Sequence, residues 1–256
     1  VALATVISEV LSAVLVLVSL MRSRDELAFS WRKLRIHRRS LSLMSKVGIP
    51  AGIQGCLFSL SNLAIQGAIN AYGSVVVAGS SAASSIDGFI YVSMNTFHQT
   101  AQTFLSQNIG AGKYDRVKDI LKKCLLCTVV TGAILSTVAC VFSQPLLRIY
   151  NQDPAVVAAG AVRLYIAVAP DIIFGLADVL TGAIRGCGSP VRPVVINLLC
   201  TCVFRLLWIA ARNTDTVPVT WVYASYPASW LVLLIALTIC WLRLYRRKIR
   251  PHLMPD

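Results

Sequence analysis

The chain has 256 residues, of which 56% are hydrophobic and 14% are charged, and its formal net charge is +13. With a mean hydropathy of +0.69, this composition excludes an ordinary soluble domain of the same length and indicates a membrane protein. The charge alone would also suit a nucleic-acid-binding protein, so the positions of the basic residues have to decide between these classes.

Seven apolar segments follow one another along the chain. Each is long enough to cross a hydrocarbon layer, which takes about 20 helical residues. The segments are continuous and do not alternate with a period of two, so we predict helices and an all-α membrane protein. They are residues 1–21, 47–70, 75–107, 124–142, 155–184, 191–211 and 218–242.

Basic residues are concentrated in every second connector between these segments. They follow the first, third, fifth and last segments, whereas the other connectors carry almost none. This alternation fits the positive-inside rule. We therefore attribute the net charge to topology, predict no nucleic-acid partner, and place these connectors in the cytoplasm. The basic residues are Arg22, Arg24, Arg32, Lys33, Arg35, Arg38, Arg39 and Lys46; Lys113, Arg116, Lys118, Lys122 and Lys123; Arg185 and Arg192; and Arg243, Arg246, Arg247, Lys248 and Arg250.

The first segment begins at Val1 without an initiator Met, a basic region or a cleavage site, which suggests a helix that is truncated at its start. The predicted organisation has four parts. The third part is a six-helix lobe, and both of its ends lie on the cytoplasmic side of the plasma membrane. The four parts are the end of a transmembrane helix (1–21), a basic cytoplasmic loop (22–46), a six-helix lobe (47–242) and a basic cytoplasmic tail (243–256).

The sequence offers no pattern of a metal site or an enzyme. Cys124 and Cys127 form a CxxC pair, but no second pair of Cys or His residues completes a zinc site. No Ser, His and acid set and no glycine-rich phosphate loop has the required spacing. We predict no cofactor, no metal and no enzymatic activity. An intramembrane enzyme would need two catalytic groups within hydrogen-bond reach.

Two apolar segments carry stripes of polar side chains at helical spacing. Polar groups at membrane depth are costly, so they usually face a bundle interior or a water-filled cavity. A stripe in 47–70 is expected to turn away from lipid, either for helix contacts or to line a cavity. A stripe in 75–107 includes a histidine that shares its face with a carboxylate and two amides. The stripes are Ser59, Asn62, Gln66 and Asn70, and Asp87, Tyr91, Asn95, His98 and Gln102.

A third polar group follows in and just after the fifth segment and in the sixth. Asp171, Asp178 and Arg185 are spaced by seven residues, which is two helical turns, so all three share one side. Arg205 lies inside the following segment, where a guanidinium needs a carboxylate or carbonyl groups. Asp178 and Asp87 are the candidate carboxylates for such a pair.

Several motifs in this order resemble the C-terminal half of a MATE (multidrug and toxic compound extrusion) transporter, nearest to the DinF-like bacterial branch. Among them, QNIGAG followed by a charged helix start is the most specific. The resemblance covers essentially the whole chain. The motifs are ATVIS (4–8), GIPAGIQG (48–55), INAYGSVVVAG (69–79), TFLSQNIGAGKYDRV (103–117) and AIRGCGSPVRP (183–193).

The resemblance implies a twelve-helix protein of two six-helix lobes, which rock to exchange a cationic or amphiphilic small molecule for H⁺ or Na⁺ across the lipid bilayer. The first lobe would be a missing part of the same protein. Sodium-coupled members carry a glutamate in the seventh helix, whereas the matching residues here include only Ser, Asn and Gln. Asp87, Asp171 and Asp178 are therefore candidates for ion coupling by position alone.

Three functions remain open on this basis. The leading hypothesis is a multidrug antiporter in which the polar faces around Asn62, Asp87 and Asp171 converge on one cavity. A flippase for lipid or polysaccharide precursors would need a more cationic cavity for phosphate groups, and we count only Arg205 well inside a segment. A structural or receptor-like membrane protein would bury its polar stripes in helix contacts without a cavity.

Overall fold

The computed structural model describes residues 2–22, 35, 37–211 and 217–252. It divides the chain into two compact units, residues 1–46 and 47–256. The described residues form helices joined by short turns and include no strand. The helices are α1 (Ala2–Arg22), α2 (Arg38–Asn70), α3 (Ser74–Gly110), α4 (Arg116–Val141), α5 (Ser143–Tyr150), α6 (Pro154–Arg163), α7 (Asp171–Gly186), α8 (Val191–Asn197), α9 (Phe204–Ala210) and α10 (Val219–Leu244).

Short π-helical stretches extend or join some of these helices. Leu164–Val168 continues α6, Leu198–Val203 joins α8 to α9, and Tyr245–Ile249 continues α10 before a final turn of 3₁₀-helix at Arg250–His252. Such stretches keep the backbone hydrogen-bonded inside a membrane while they change the direction of the side chains.

Within the described ranges, four helices are long and apolar enough to cross a membrane. A fifth span results if the bent pair Pro154–Val168 and Asp171–Gly186 is counted as one. The predicted all-α membrane fold is confirmed. The predicted segments 1–21 and 47–70 correspond to α1 and part of α2, which are not among these spans; α2 is rich in glycine and polar residues. The four single spans are Ser74–Gly110, Arg116–Val141, Val191–Ala210 and Val219–His252.

The helices extend beyond the predicted segments because hydropathy marks the membrane crossing and not the helix ends. Residues 38–46 of the predicted basic loop lie in α2, and residues 243–252 of the predicted tail are helical. The remaining basic residues of that loop up to residue 34 lie outside the described residues.

The segment 155–184 was expected to be one helix, but it is two helices that meet at an angle of 44°. The break falls at Ala169 and Pro170, between the π-helical stretch and α7. Proline has no backbone N–H and its ring clashes with the preceding turn, so it ends or bends a helix. The bend places Asp171 at the first turn of α7.

The core of the second unit is built around α3, which packs against α4, α6 and α7. Glycines allow its backbone to approach two of these partners closely. A Cβ at Gly79 would lie 2.6 Å from Gly160 N and from Val156 O of α6. Close contact of this kind is the usual way in which membrane helices associate.

The contact between α3 and α7 is formed in the same way. A Cβ at Gly182 would collide with the carbonyl oxygen of His98, and one at Gly186 would lie 2.7 Å from the carbonyl oxygen of Gln102. Because the residue numbers rise together along both helices, α3 and α7 run in parallel. The polar residues that each helix carries on this side are thereby held at matching depths.

Candidate functional site

A hydrogen-bonded group of three side chains joins α3 to α7. Asn95 Nδ2 donates to Asp178 Oδ2 at 3.0 Å, and His98 Nδ1 lies 2.9 Å from Asp178 Oδ1 and 2.8 Å from the Asp178 backbone carbonyl oxygen. The contact with Oδ1 is a salt bridge when the imidazole is protonated. Tyr91, one turn before Asn95, lies within 3.4 Å of the Asn95 amide.

This group opens onto a cavity of about 420 Å³. Its walls come from α2, α3, α7 and the helix that runs from α8 to α9. Most of the lining side chains are polar, which suits a ligand with hydrogen-bonding groups. The lining residues are Gly55, Phe58, Tyr91, Asn95, His98, Gln99, Phe174, Asp178, Thr181, Arg185, Asn197, Leu198, Thr201 and Cys202.

A second group of ionisable side chains lies at the other end of the same α3–α7 contact. Asp87 of α3 interacts electrostatically with Arg163 and Arg205, and Asp171 interacts with Asp87. One oxygen of each carboxylate, Asp87 Oδ1 and Asp171 Oδ2, is buried without a hydrogen-bond partner among the described residues. A buried carboxyl oxygen without a partner is stabilised by a proton or a bound cation.

The two arginines of this group are held by hydroxyl groups and aromatic rings of α3 and α10. Arg163 donates to Ser80 Oγ at 2.5 Å, and Arg205 Nε donates to Ser229 Oγ at 2.8 Å. The Arg205 guanidinium also lies 4.4 Å from the centre of the Tyr226 ring, a cation–π contact. Both side chains are buried, with exposed fractions of 7% for Arg163 and 2% for Arg205.

These contacts correct two sequence predictions. Arg205 does not form the expected ion pair with Asp87 or Asp178, since the one salt bridge among the described residues joins His98 and Asp178. Arg163 was also overlooked as an intramembrane charge. Its position within the predicted segment 155–184 was visible in the sequence, and it doubles the number of buried guanidinium groups.

The three predicted residues of α7 divide between the two groups. Asp171 belongs to the group with Asp87, while Asp178 and Arg185 line the cavity. Asp171 and Asp178 thus share one face of α7. They lie in different environments because they are seven residues apart along the helix. Gln102 lies one turn beyond His98 and is not part of the cavity lining.

The stripe on α2 does not join either group. Asn62 and Asn70 are exposed, and Gln66 Nε2 donates to Asn70 Oδ1 at 3.0 Å. Within the described residues this face does not pack inside the lobe, and its orientation away from lipid stays a prediction. Ser61, next to Asn62, is the buried polar residue of this turn, at 1% exposure.

Comparison with known proteins supports the resemblance from the sequence. The family model described as MatE matches residues 50–210. The chain is 24% identical over 244 residues to "Probable multidrug resistance protein YoeA" of Bacillus subtilis, which covers 91% of the chain and 51% of that protein. It is 30% identical over 165 residues to "Probable multidrug resistance protein YpnP" of the same organism, which covers 64% of the chain and 37% of that protein.

The fold is also similar to that of a solved structure titled "Crystal structure of MATE in complex with MaL6". The TM-score is 0.83 at 14% sequence identity, and the match covers 96% of this chain and 56% of the other. The chain thus spans about half the length of the curated relatives it matches.

Proposed function

The chain belongs to the MatE family, whose members are transporters and not enzymes, and from this premise we propose that it forms half of a secondary antiporter. The complete protein exports cationic or amphiphilic small molecules in exchange for H⁺ or Na⁺. The observation that carries this proposal is the polar cavity at which α3 and α7 meet around Asp178. A purely structural protein would bury such a group in helix contacts without an adjoining cavity.

We assign cargo binding to the cavity group of Tyr91, Asn95, His98 and Asp178. Asp178 supplies a negative charge for a cationic cargo, and Tyr91 with Phe174 supplies aromatic surface, since their ring centres lie 5.8 Å apart. Aromatic rings and a carboxylate are the groups that recognise organic cations in proteins.

We assign ion coupling to Asp87 and Asp171. Each has one buried oxygen without a partner, on neighbouring, parallel helices, which a proton or a small cation would stabilise. Arg163 and Arg205 balance the two negative charges when the ion has left. The residues present fit H⁺ and Na⁺ alike, so the ion is to be identified by the dependence of transport on each gradient.

The proposal also requires the other six-helix lobe, which the family resemblance places before this one in the same protein. Asn62 and Asn70 expose polar groups on α2, and polar groups that face lipid are costly. We propose that this face of α2 turns towards the other lobe across the transport pathway. Rocking of the two lobes then opens the pathway to one side of the membrane at a time.

The test is efflux of a fluorescent cation from cells that make the full-length protein, with Asp87→Asn, Asp171→Asn and Asp178→Asn compared separately. We expect Asp178→Asn to weaken cargo recognition while transport still responds to the ion gradient. Asp87→Asn and Asp171→Asn should abolish that response at similar protein levels. Asp119→Asn, an exposed carboxylate on α4, is the matched control and should transport normally.

Unchanged, ion-dependent efflux in all three variants would remove these carboxylates from the mechanism. The flippase hypothesis gives a different result in the same cells. The buried pair Arg163 and Arg205 is the observation that favours it, because guanidinium groups bind phosphates. Transport of a fluorescent anionic phospholipid analogue, lost in Arg163→Gln and without any cation efflux, would support a flippase instead.

We propose the plasma membrane as the location, with the turn between α3 and α4 in the cytoplasm. A cysteine at Lys113, which is exposed in this turn, should react with a membrane-impermeant maleimide in inside-out vesicles but not in intact cells. A cysteine at Gln152, exposed in the connector between α5 and α6, should show the reverse. Both substitutions belong in a background without native cysteines, and an opposite labelling pattern would invert the proposed topology.

A further inference from the structure

A second, larger depression of about 780 Å³ lies between α8 and α10. It is separate from the polar cavity and shares no lining residue with it. Six of its nine lining residues are aliphatic or cysteine and three are arginines. We call it the α8–α10 groove; its lining residues are Val191, Arg192, Val195, Ile196, Ala236, Ile239, Cys240, Arg243 and Arg247.

The groove has an apolar part and a cationic end. On α10 and its π-helical continuation the lining residues run from Ala236 through Ile239 and Cys240 to Arg243 and Arg247, at the spacing of one helical face. Arg192 of α8 lies at the same end as these two arginines, where that helix begins. The charge is thus confined to the end that the positive-inside pattern places in the cytoplasm.

The three arginines are available to a ligand. All three are exposed, and none forms an ion pair within residues 37–211 and 217–252, where His98 and Asp178 make the one salt bridge. Three unneutralised guanidinium groups around one groove attract an anion with several oxygen acceptors, such as a phosphate diester.

The length of the groove fits a lipid tail. Eleven residues separate Ala236 from Arg247, which is about 16 Å along a helix. One leaflet contributes roughly half of the hydrocarbon thickness, or about 15 Å. A headgroup bound at the arginines would therefore let its acyl chain lie along Ile239 and Ala236 over the depth of one leaflet.

We infer that the α8–α10 groove is a binding site for an anionic phospholipid of the cytoplasmic leaflet. Arg192, Arg243 and Arg247 hold the phosphate, and the apolar wall holds one acyl chain. Charge at one end and an aliphatic wall over one leaflet are the features of lipid sites between transmembrane helices. This site is independent of the transport cavity and of the identity of the cargo.

The test is binding of phosphatidylglycerol to the full-length protein in a neutral detergent, followed by native mass spectrometry. The triple variant Arg192→Gln, Arg243→Gln and Arg247→Gln should bind this lipid about a hundredfold more weakly, because each basic side chain near an anionic headgroup contributes about fivefold. The matched control Lys122→Gln, Lys123→Gln and Arg246→Gln removes the same charge from exposed positions outside the groove. It should bind like the parent protein.

Further binding measurements distinguish a lipid site from a site for other ligands. Ala236→Phe fills the apolar part but keeps the arginines, so it should also weaken phosphatidylglycerol binding. Equal binding of phosphatidylcholine, or of glycerol 3-phosphate in place of the lipid, would overturn the inference. So would equal loss of binding in the triple variant and its control. Thermal unfolding of each variant shows whether a loss of binding comes from a loss of fold.

Discussion

Alanine at Gly182 is expected to lower the free energy of unfolding by about 1–3 kcal/mol, whereas alanine at Gly88 should leave it unchanged or raise it. Both glycines lie inside helices, and alanine is the better helix former. The difference comes from their surroundings. A Cβ at Gly182 would collide with the carbonyl oxygen of His98, while nothing lies within 4 Å of a Cβ at Gly88.

The collision at Gly182 cannot be relieved by a side-chain rotation because its partner is backbone. The α3–α7 contact would have to widen, and Asn95 and His98 would then move away from Asp178. Unfolding of the purified full-length protein in mixed detergent micelles measures the effect. Equal stability of the two alanine variants would show that α3 and α7 are not in close contact.

Methionine at Arg163 is expected to destabilise the protein by about 1–3 kcal/mol, because it removes a charged hydrogen-bond donor and one cation from a buried group of ionisable side chains. When the carboxyl groups of Asp87 and Asp171 are both ionised, their two negative charges are matched by the positive charges of Arg163 and Arg205. Without Arg163, the buried Asp87 carboxylate has lost one of its two cationic neighbours. Ser80 also loses the donor that contacts its hydroxyl group.

The same substitution together with Asp87→Asn should recover most of the lost stability, since the double variant restores the balance of charge. A double-mutant cycle in the full-length protein gives the coupling between the two residues. Arg148→Met serves as the control because Arg148 is exposed on α5, and its effect should be close to zero. If the two single losses simply add, the charges of Asp87 and Arg163 do not interact.

Helical periodicity assigned the polar residues of α3 and α7 to common faces. The spacing of Asp87, Tyr91, Asn95 and His98 put them on one face of α3, and the steps of seven put Asp171 and Asp178 on one face of α7. The structure brings these two faces together. Periodicity defines a face but not the helix that it meets, so the pairing of His98 with Asp178 could not be derived from the pattern.

Tertiary packing decides which partners such polar groups have. For Arg205, the cost of a buried guanidinium suggested a carboxylate partner, but Ser229 and the ring of Tyr226 hold it. For the α2 stripe, the cost of polar groups in lipid predicts only that it faces away from lipid, and Asn62 is exposed among the described residues. The sequence indicates that such groups need partners, but the identity of the partner depends on tertiary packing.

The regular backbone of α7 also fixes a distance between the two ionisable groups. Asp171 and Asp178 are seven residues apart on one α-helix, or about 10 Å along its axis. At that distance and an effective dielectric constant of about 20, one unit charge changes the energy of another by about 1.6 kcal/mol. An ion that arrives at Asp171 would thereby alter cation binding at Asp178 by roughly tenfold. Ion binding at Asp171 and cation binding at Asp178 would therefore be coupled electrostatically, without any sliding of the backbone.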